Sequence, residues 1–158
     1  MQRIDNFLEN DVFNNIKNII VKNCPWYYNE TTGSDNDFSD FLFFHVLFQD
    51  NQVKSSFFNS IMIPIISRLK MNYLLRAKIN CYTNKNKSIE TEMHTDSPDY
   101  HKVALFSINT NNGYTLFENG DKFESKENTI LLFDGHLKHC SVAQTNTNLR
   151  INININYR

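Results

Sequence analysis

Few residue types bind a metal ion, and two of them stand together in His94-Thr-Asp96. Residues at i and i+2 of a strand point to one face, so this imidazole and this carboxylate can share a ligand. A third donor must come from another strand, and His139, in Asp134-Gly-His-Leu-Lys-His139-Cys-Ser141, supplies it. Two imidazoles and one carboxylate on one side of a divalent ion leave three coordination positions open for reacting ligands. His136 competes for the third position, but it sits in the turn after Asp134-Gly135, and the spacing from His139 to Arg150 favours His139. Arg150, eleven positions after His139, adds a permanent charge and a planar fork that matches a carboxylate.

These side chains need rigid strands to meet. From Tyr73 onward short strand-like runs alternate with turn signals, and the pattern predicts strands near 74–83, 91–97, 102–109, 113–118, 121–125, 129–134, 138–144 and 149–157. Asn119-Gly120 predicts a hairpin turn, because both residues tolerate positive φ. Before them, Phe13, Ile16, Ile19 and Ile20 recur at helical spacing and predict a helix over roughly residues 9–22, capped by Asn10 with Asp11 beside it. Residues 29–40 read as a mobile polar surface loop, and Phe41–Phe48 as an aromatic strand. Ser55 or Ser56 can cap a second helix through Leu69, with a kink at Pro64. Helices followed by strands predict a mainly β chain: a double-stranded β-helix (jelly-roll, cupin-like) barrel packed against two or three helices. Residues 1–158 then form one domain, with helical support and edge strands over 1–72 and the barrel with the metal site over 73–158.

The last strand narrows the choice. In Arg150-Ile-Asn-Ile-Asn-Ile-Asn156, isoleucines alternate strictly with polar residues. Helices over the isoleucine face would enclose both faces and turn Arg150, Asn152, Asn154 and Asn156 into a polar interior.

Bulk properties remove other classes. A net charge of -1 gives no broad cationic field, which disfavours a nucleic-acid backbone as partner. Three cysteines without a CxxC pair read as free thiols in a reducing interior. The apolar run around Ile61–Ile66 is too short to cross a bilayer, and the first residues lack the apolar stretch of a signal peptide. A cytoplasmic location is expected. Abundant Asn, Ile and Lys with 4 Gly and 3 Pro fits an AT-rich genome such as a phage's, in which case the location is the host cytoplasm.

The series HxD, then His, then Arg, together with Asn80-Cys-Tyr82 and Asn109-Thr-Asn-Asn-Gly113-Tyr-Thr, resembles the iron(II)- and 2-oxoglutarate-dependent oxygenase superfamily. Within it the resemblance is to the prolyl 4-hydroxylase-like branch, including small phage and bacterial members, over roughly Leu74 to Tyr157. It implies iron(II) held by His94, Asp96 and His139, and 2-oxoglutarate chelating the ion with its distal carboxylate on Arg150. Tyr82 and Asn80 would stand beside the cosubstrate or substrate. Dioxygen is the co-reactant, with ascorbate as an accessory reductant. The implied reaction is hydroxylation of an aliphatic C–H bond, with peptidyl proline in a peptide or protein as the favoured substrate. Collagen-type members use Lys at the anchor, where this chain has Arg as the oxygen-sensing and bacterial types do. The oxygen-sensing members carry Tyr where this chain has Ser107, so the second partner of the distal carboxylate falls to Tyr82, Tyr114 or an Asn of the last strand. Nucleic-acid demethylases of the superfamily carry a second Arg six residues after the first, where this chain has Asn156. A non-catalytic cupin-type binding module would keep the barrel without needing Arg150.

Overall fold

A computed structural model of the chain describes residues 1–32 and 40–158. Its elements run β1 (Gln2–Ile4), α1 (Asn10–Lys22), β2 (Tyr27–Asn29), β3 (Leu42–Gln49), β4 (Gln52–Val53), α2 (Phe58–Leu69), β5 (Leu74–Thr83), β6 (Lys102–Ser107), β7 (Tyr114–Phe117), β8 (Lys122–Glu124), β9 (Thr129–Asp134), β10 (His139–Val142) and β11 (Leu149–Tyr157). The strands form a large sheet in the order β1-β9-β6-β11-β5-β3-β2, with β4 on β3, and a small sheet in the order β10-β7-β8. This is the double-stranded β-helix expected from the sequence, with two helices against it. Among the described residues no helix is long and apolar enough to cross a membrane.

Alternation on the large sheet explains its two faces. Ile151, Ile153 and Ile155 of β11, Ile79 of β5 and Phe106 of β6 are buried in one cluster with Phe13, Ile16 and Ile20 of α1 and Ile61, Met62 and Ile65 of α2. Each such aliphatic side chain contributes about 1.5–3 kcal/mol when fully buried. The opposite face turns Val103 and Leu105 of β6 and Leu131 and Phe133 of β9 toward Phe117 and Phe123 of the small sheet. This second cluster closes part of the barrel, and polar side chains of β5 and β11 occupy the rest.

Local details differ from the sequence expectations at several points. No strand forms over 91–97; the segment meets β10 through isolated bridges at Glu90 and His94 and through Thr91. The Thr91 N–H donates to the Ser141 carbonyl, but its hydroxyl accepts the Ser141 N–H at 3.0 Å, taking the place of a ladder carbonyl and interrupting the ladder there. Glu9, not Asn10, occupies the N-cap of α1 and makes no side-chain cap bond. Phe57 is the N-cap of α2, while the Ser55 hydroxyl accepts the Phe57 N–H just before it. That helix continues past Pro64 to Leu69. Between β7 and β8 only Gly120 takes positive φ, at 87°. Most of the loop expected over 29–40 lies outside the described residues; Asn29, Thr31 and Thr32 face the barrel interior.

Candidate active site

His94, on the irregular segment before β6, and His139, the first residue of β10, exchange backbone hydrogen bonds at 3.0 Å in both directions. That pairing sets the two rings side by side, with centroids 4.9 Å apart. Asp96 joins them two residues on, and one ligand atom from each of the three residues lies within 4.8 Å of the others. Each imidazole donates its Nδ1–H to the carbonyl two residues earlier, His94 to Glu92 and His139 to Leu137, both at 3.1 Å. A carbonyl only accepts, so in the neutral form of each ring the lone pair lies on Nε2, the form a metal needs. The Asn154 side-chain amide donates to both Asp96 oxygens, at 3.3 and 3.0 Å, and orients the carboxylate. Phe133 meets the His139 ring edge-on at 5.2 Å. Burial pushes the His139 imidazole below its ordinary range, which keeps it neutral; the nearby Asp96 opposes that shift. The donor set and the tautomers fit a divalent cation.

A cavity of about 370 Å³ adjoins this trio and extends along β5 and β11. Arg150 lies at one end of it, 2 % exposed. Its guanidinium donates to the hydroxyls of Ser125 (2.9 Å), Ser141 (2.6 Å) and Thr115 (3.2 Å) and to the Val142 carbonyl (3.4 Å). All four acceptors are neutral, and among the described residues no carboxylate forms an ion pair with it. A buried charge without a counter-charge is costly, so this end of the cavity favours an anionic ligand. Tyr82 pairs with Arg150 across the β5–β11 ladder and lays its ring 5.3 Å from the guanidinium carbon. Burial raises the pKa of that phenol, so it can donate to an anion without losing its proton.

No protein-family profile matches the chain, and no curated protein does. Solved structures do match in fold. A 2OG-Fe(II) oxygenase family oxidoreductase from Burkholderia pseudomallei is 14% identical with a TM-score of 0.70, over 97% of this chain and 82% of that one. A non-heme alpha-ketoglutarate-dependent epimerase of nogalamycin biosynthesis is 12% identical with a TM-score of 0.69, over 99% and 76% of the two chains. A Trichoplax adhaerens prolyl hydroxylase, solved with a hypoxia-inducible-factor peptide, is 14% identical with a TM-score of 0.68, over 99% and 82%. The fold is that of the 2OG-Fe(II) oxygenases.

Within this oxygenase fold the other residues singled out by sequence take definite places. Asn80 lines the cavity and donates to Asn152, and its own carbonyl oxygen is buried without a partner. His136 is exposed and does not join the trio, and its backbone N–H donates to the Asp134 carboxylate. Tyr114 and Ser107 do not line the cavity. Hydroxyls of Thr115, Ser125 and Ser141 surround the guanidinium instead, and sequence reasoning missed them. Two of them lie on small-sheet strands, and single hydroxyl residues on short strands leave no pattern. Arg76 and Lys78 were missed as well, although Arg76, Lys78, Asn80 and Tyr82 alternate along β5 just as the polar residues do along β11. Burial, with Arg76 close by, pushes the Lys78 ammonium down to about 8, against the pull of Asp96.

Proposed function

We propose that the protein is an iron(II)/2-oxoglutarate-dependent dioxygenase that hydroxylates an aliphatic C–H bond. The observation that carries this reading is the pairing, in one cavity, of a His-Asp-His trio with a buried arginine that has no counter-charge. His94, Asp96 and His139 would hold the ion from one side, with Asn154 keeping the Asp96 carboxylate in place. Arg150, supported by Thr115, Ser125 and Ser141, would receive the distal carboxylate of the cosubstrate, with Tyr82 beside it. Leu42, Leu105 and Phe133 give a mostly polar cavity its apolar wall. When bound, iron(II) with 2-oxoglutarate and dioxygen supplies the oxidising power for an unactivated C–H bond and yields succinate and carbon dioxide.

The finer reading is a prolyl hydroxylase acting on a peptide or protein. Its support is the motif resemblance and the fold likeness to a peptide-bound prolyl hydroxylase. Anaerobic loading with iron followed by 2-oxoglutarate and air should release succinate, and an equal release from His94→Ala would overturn the oxygenase reading. Mass spectrometry of proline peptides should then show a gain of one oxygen; coupled turnover on other substrates alone would overturn the prolyl assignment.

A further inference from the structure

The β5–β11 ladder orders the cavity as a series of facing pairs: Tyr82 with Arg150, Asn80 with Asn152, Lys78 with Asn154, Arg76 with Asn156. Asn154 holds Asp96, so Lys78 stands level with the trio and Arg76 one step beyond. Arg150 sits four residues back along β11, roughly 13 Å at ordinary strand rise. The cavity therefore has cations at both ends, and a cosubstrate anchored on Arg150 reaches toward the trio, not past it.

The cations at the second end have no counter-charge of their own. Among the described residues, the Lys78 and Arg76 side chains make no hydrogen bond and no ion pair. The Lys78 ammonium lies 5.9 Å from the Phe44 ring centroid, and the Arg76 Nε is buried without an acceptor. Among the described residues, Asp96 is the one carboxylate lining this cavity. With a divalent ion and a dicarboxylate in place, the positive charges of the ion, Arg150, Lys78 and Arg76 outnumber the negative ones by two. Arg76 and Asp96 also line an adjoining cleft of about 480 Å³, where the carbonyl oxygen of Asn156 is buried and unpartnered too. Asp50 and Asp99 line that cleft, and neither comes within ion-pair distance of Arg76.

We infer that Lys78 and Arg76 receive an anionic group of the substrate, a carboxylate or a phosphate, at the end of the cavity away from Arg150. The inference rests on the dioxygenase reading for the position of the cosubstrate. It selects substrates that present an acid close to the carbon to be oxidised, whether a small acid or an acidic residue next to the target of a peptide.

The test uses the full chain loaded with zinc(II), which does not consume the cosubstrate, and saturating 2-oxoglutarate. Inorganic phosphate and acetate are then titrated in, followed by NMR of the β5 amides and the Arg76 Nε–H. Saturable shifts are expected in the wild-type chain. Lys78→Met combined with Arg76→Gln should weaken the apparent affinity by about tenfold or more, the loss of a charge-assisted hydrogen bond. Lys78→Arg should restore much of it. Calorimetry should show unchanged 2-oxoglutarate affinity in each variant, which also verifies folding. Absence of saturable shifts, equal affinity in the double variant, or competition between acetate and 2-oxoglutarate would overturn the inference. Failure of the wild-type chain to bind zinc and 2-oxoglutarate would instead overturn the dioxygenase reading; phosphate titration of unloaded Arg150→Met, with and without the Lys78→Met and Arg76→Gln pair, then reads the two cations.

Discussion

At the scale of single residues, the site depends on charges that are fixed before any ligand arrives. Arg150 keeps its proton even when buried, so the folded chain carries the cost of a lone cation until an anion joins it. Arg150→Met should therefore abolish the rise in melting temperature that 2-oxoglutarate gives the metal-loaded wild type, while leaving metal affinity intact. Thermal melts with and without each ligand check both halves. Asn154 acts through Asp96, which it orients with a two-pronged donor. Asn154→Leu should weaken metal binding by about 10- to 100-fold, the usual cost of losing such support, read by competition with a chelator.

The elements contribute by close packing around those residues. Gly113 precedes β7, and a Cβ there would stand 2.9 Å from both the Arg150 side chain and the Asn111 carbonyl oxygen. Gly113→Ala should thus displace the guanidinium and lower 2-oxoglutarate affinity without touching any ligand atom, measurable by calorimetry on the metal-loaded chain. His45 of β3 ties the sheet to its helical cover, donating from Nδ1 to the Pro25 carbonyl while Nε2 accepts from the Ser55 hydroxyl. Burial holds its pKa below the ordinary value. As pH falls, the unfolded chain takes up the proton first, near about 6.5, so the associated stability is present above that pH and is lost on acidification toward the folded value. Urea unfolding between pH 7 and 5 should show this decline, and His45→Gln should flatten it in part.

For the whole molecule, the helices allow a barrel with a polar interior. They cover the isoleucine face of β11, so the larger hydrophobic cluster lies outside the barrel and the β5–β11 side of the interior is free to hold charge. Ile153→Ala, deep in that outer cluster, should cost about 2–5 kcal/mol of stability in denaturant titration. On the dioxygenase reading, metal and cosubstrate would bind only the folded chain, so at about a hundred times the dissociation constant each should return about 2.7 kcal/mol. Removal of the ion by a chelator should reverse that gain.

Strand and helix periodicity were legible from local chemistry alone. Strands over 74–83, 129–134 and 149–157 match to the residue: polar and apolar residues alternate in the first and last, and the apolar run Ile130–Phe133 is bounded by polar residues in the other. The convergence of the His-x-Asp pair with the later His139 was legible as well, since few residue types bind a divalent ion, and Arg150 lines the same cavity. Contacts across sheets were not legible. The hydroxyls of Thr115 and Ser125 around Arg150, and the Asn154 amide that places Asp96 beside the Lys78–Arg76 end of the cavity, join residues far apart in the chain. Only the pairing of β5 with β11, and the closing of the small sheet over them, decides which of many ordinary polar residues become neighbours.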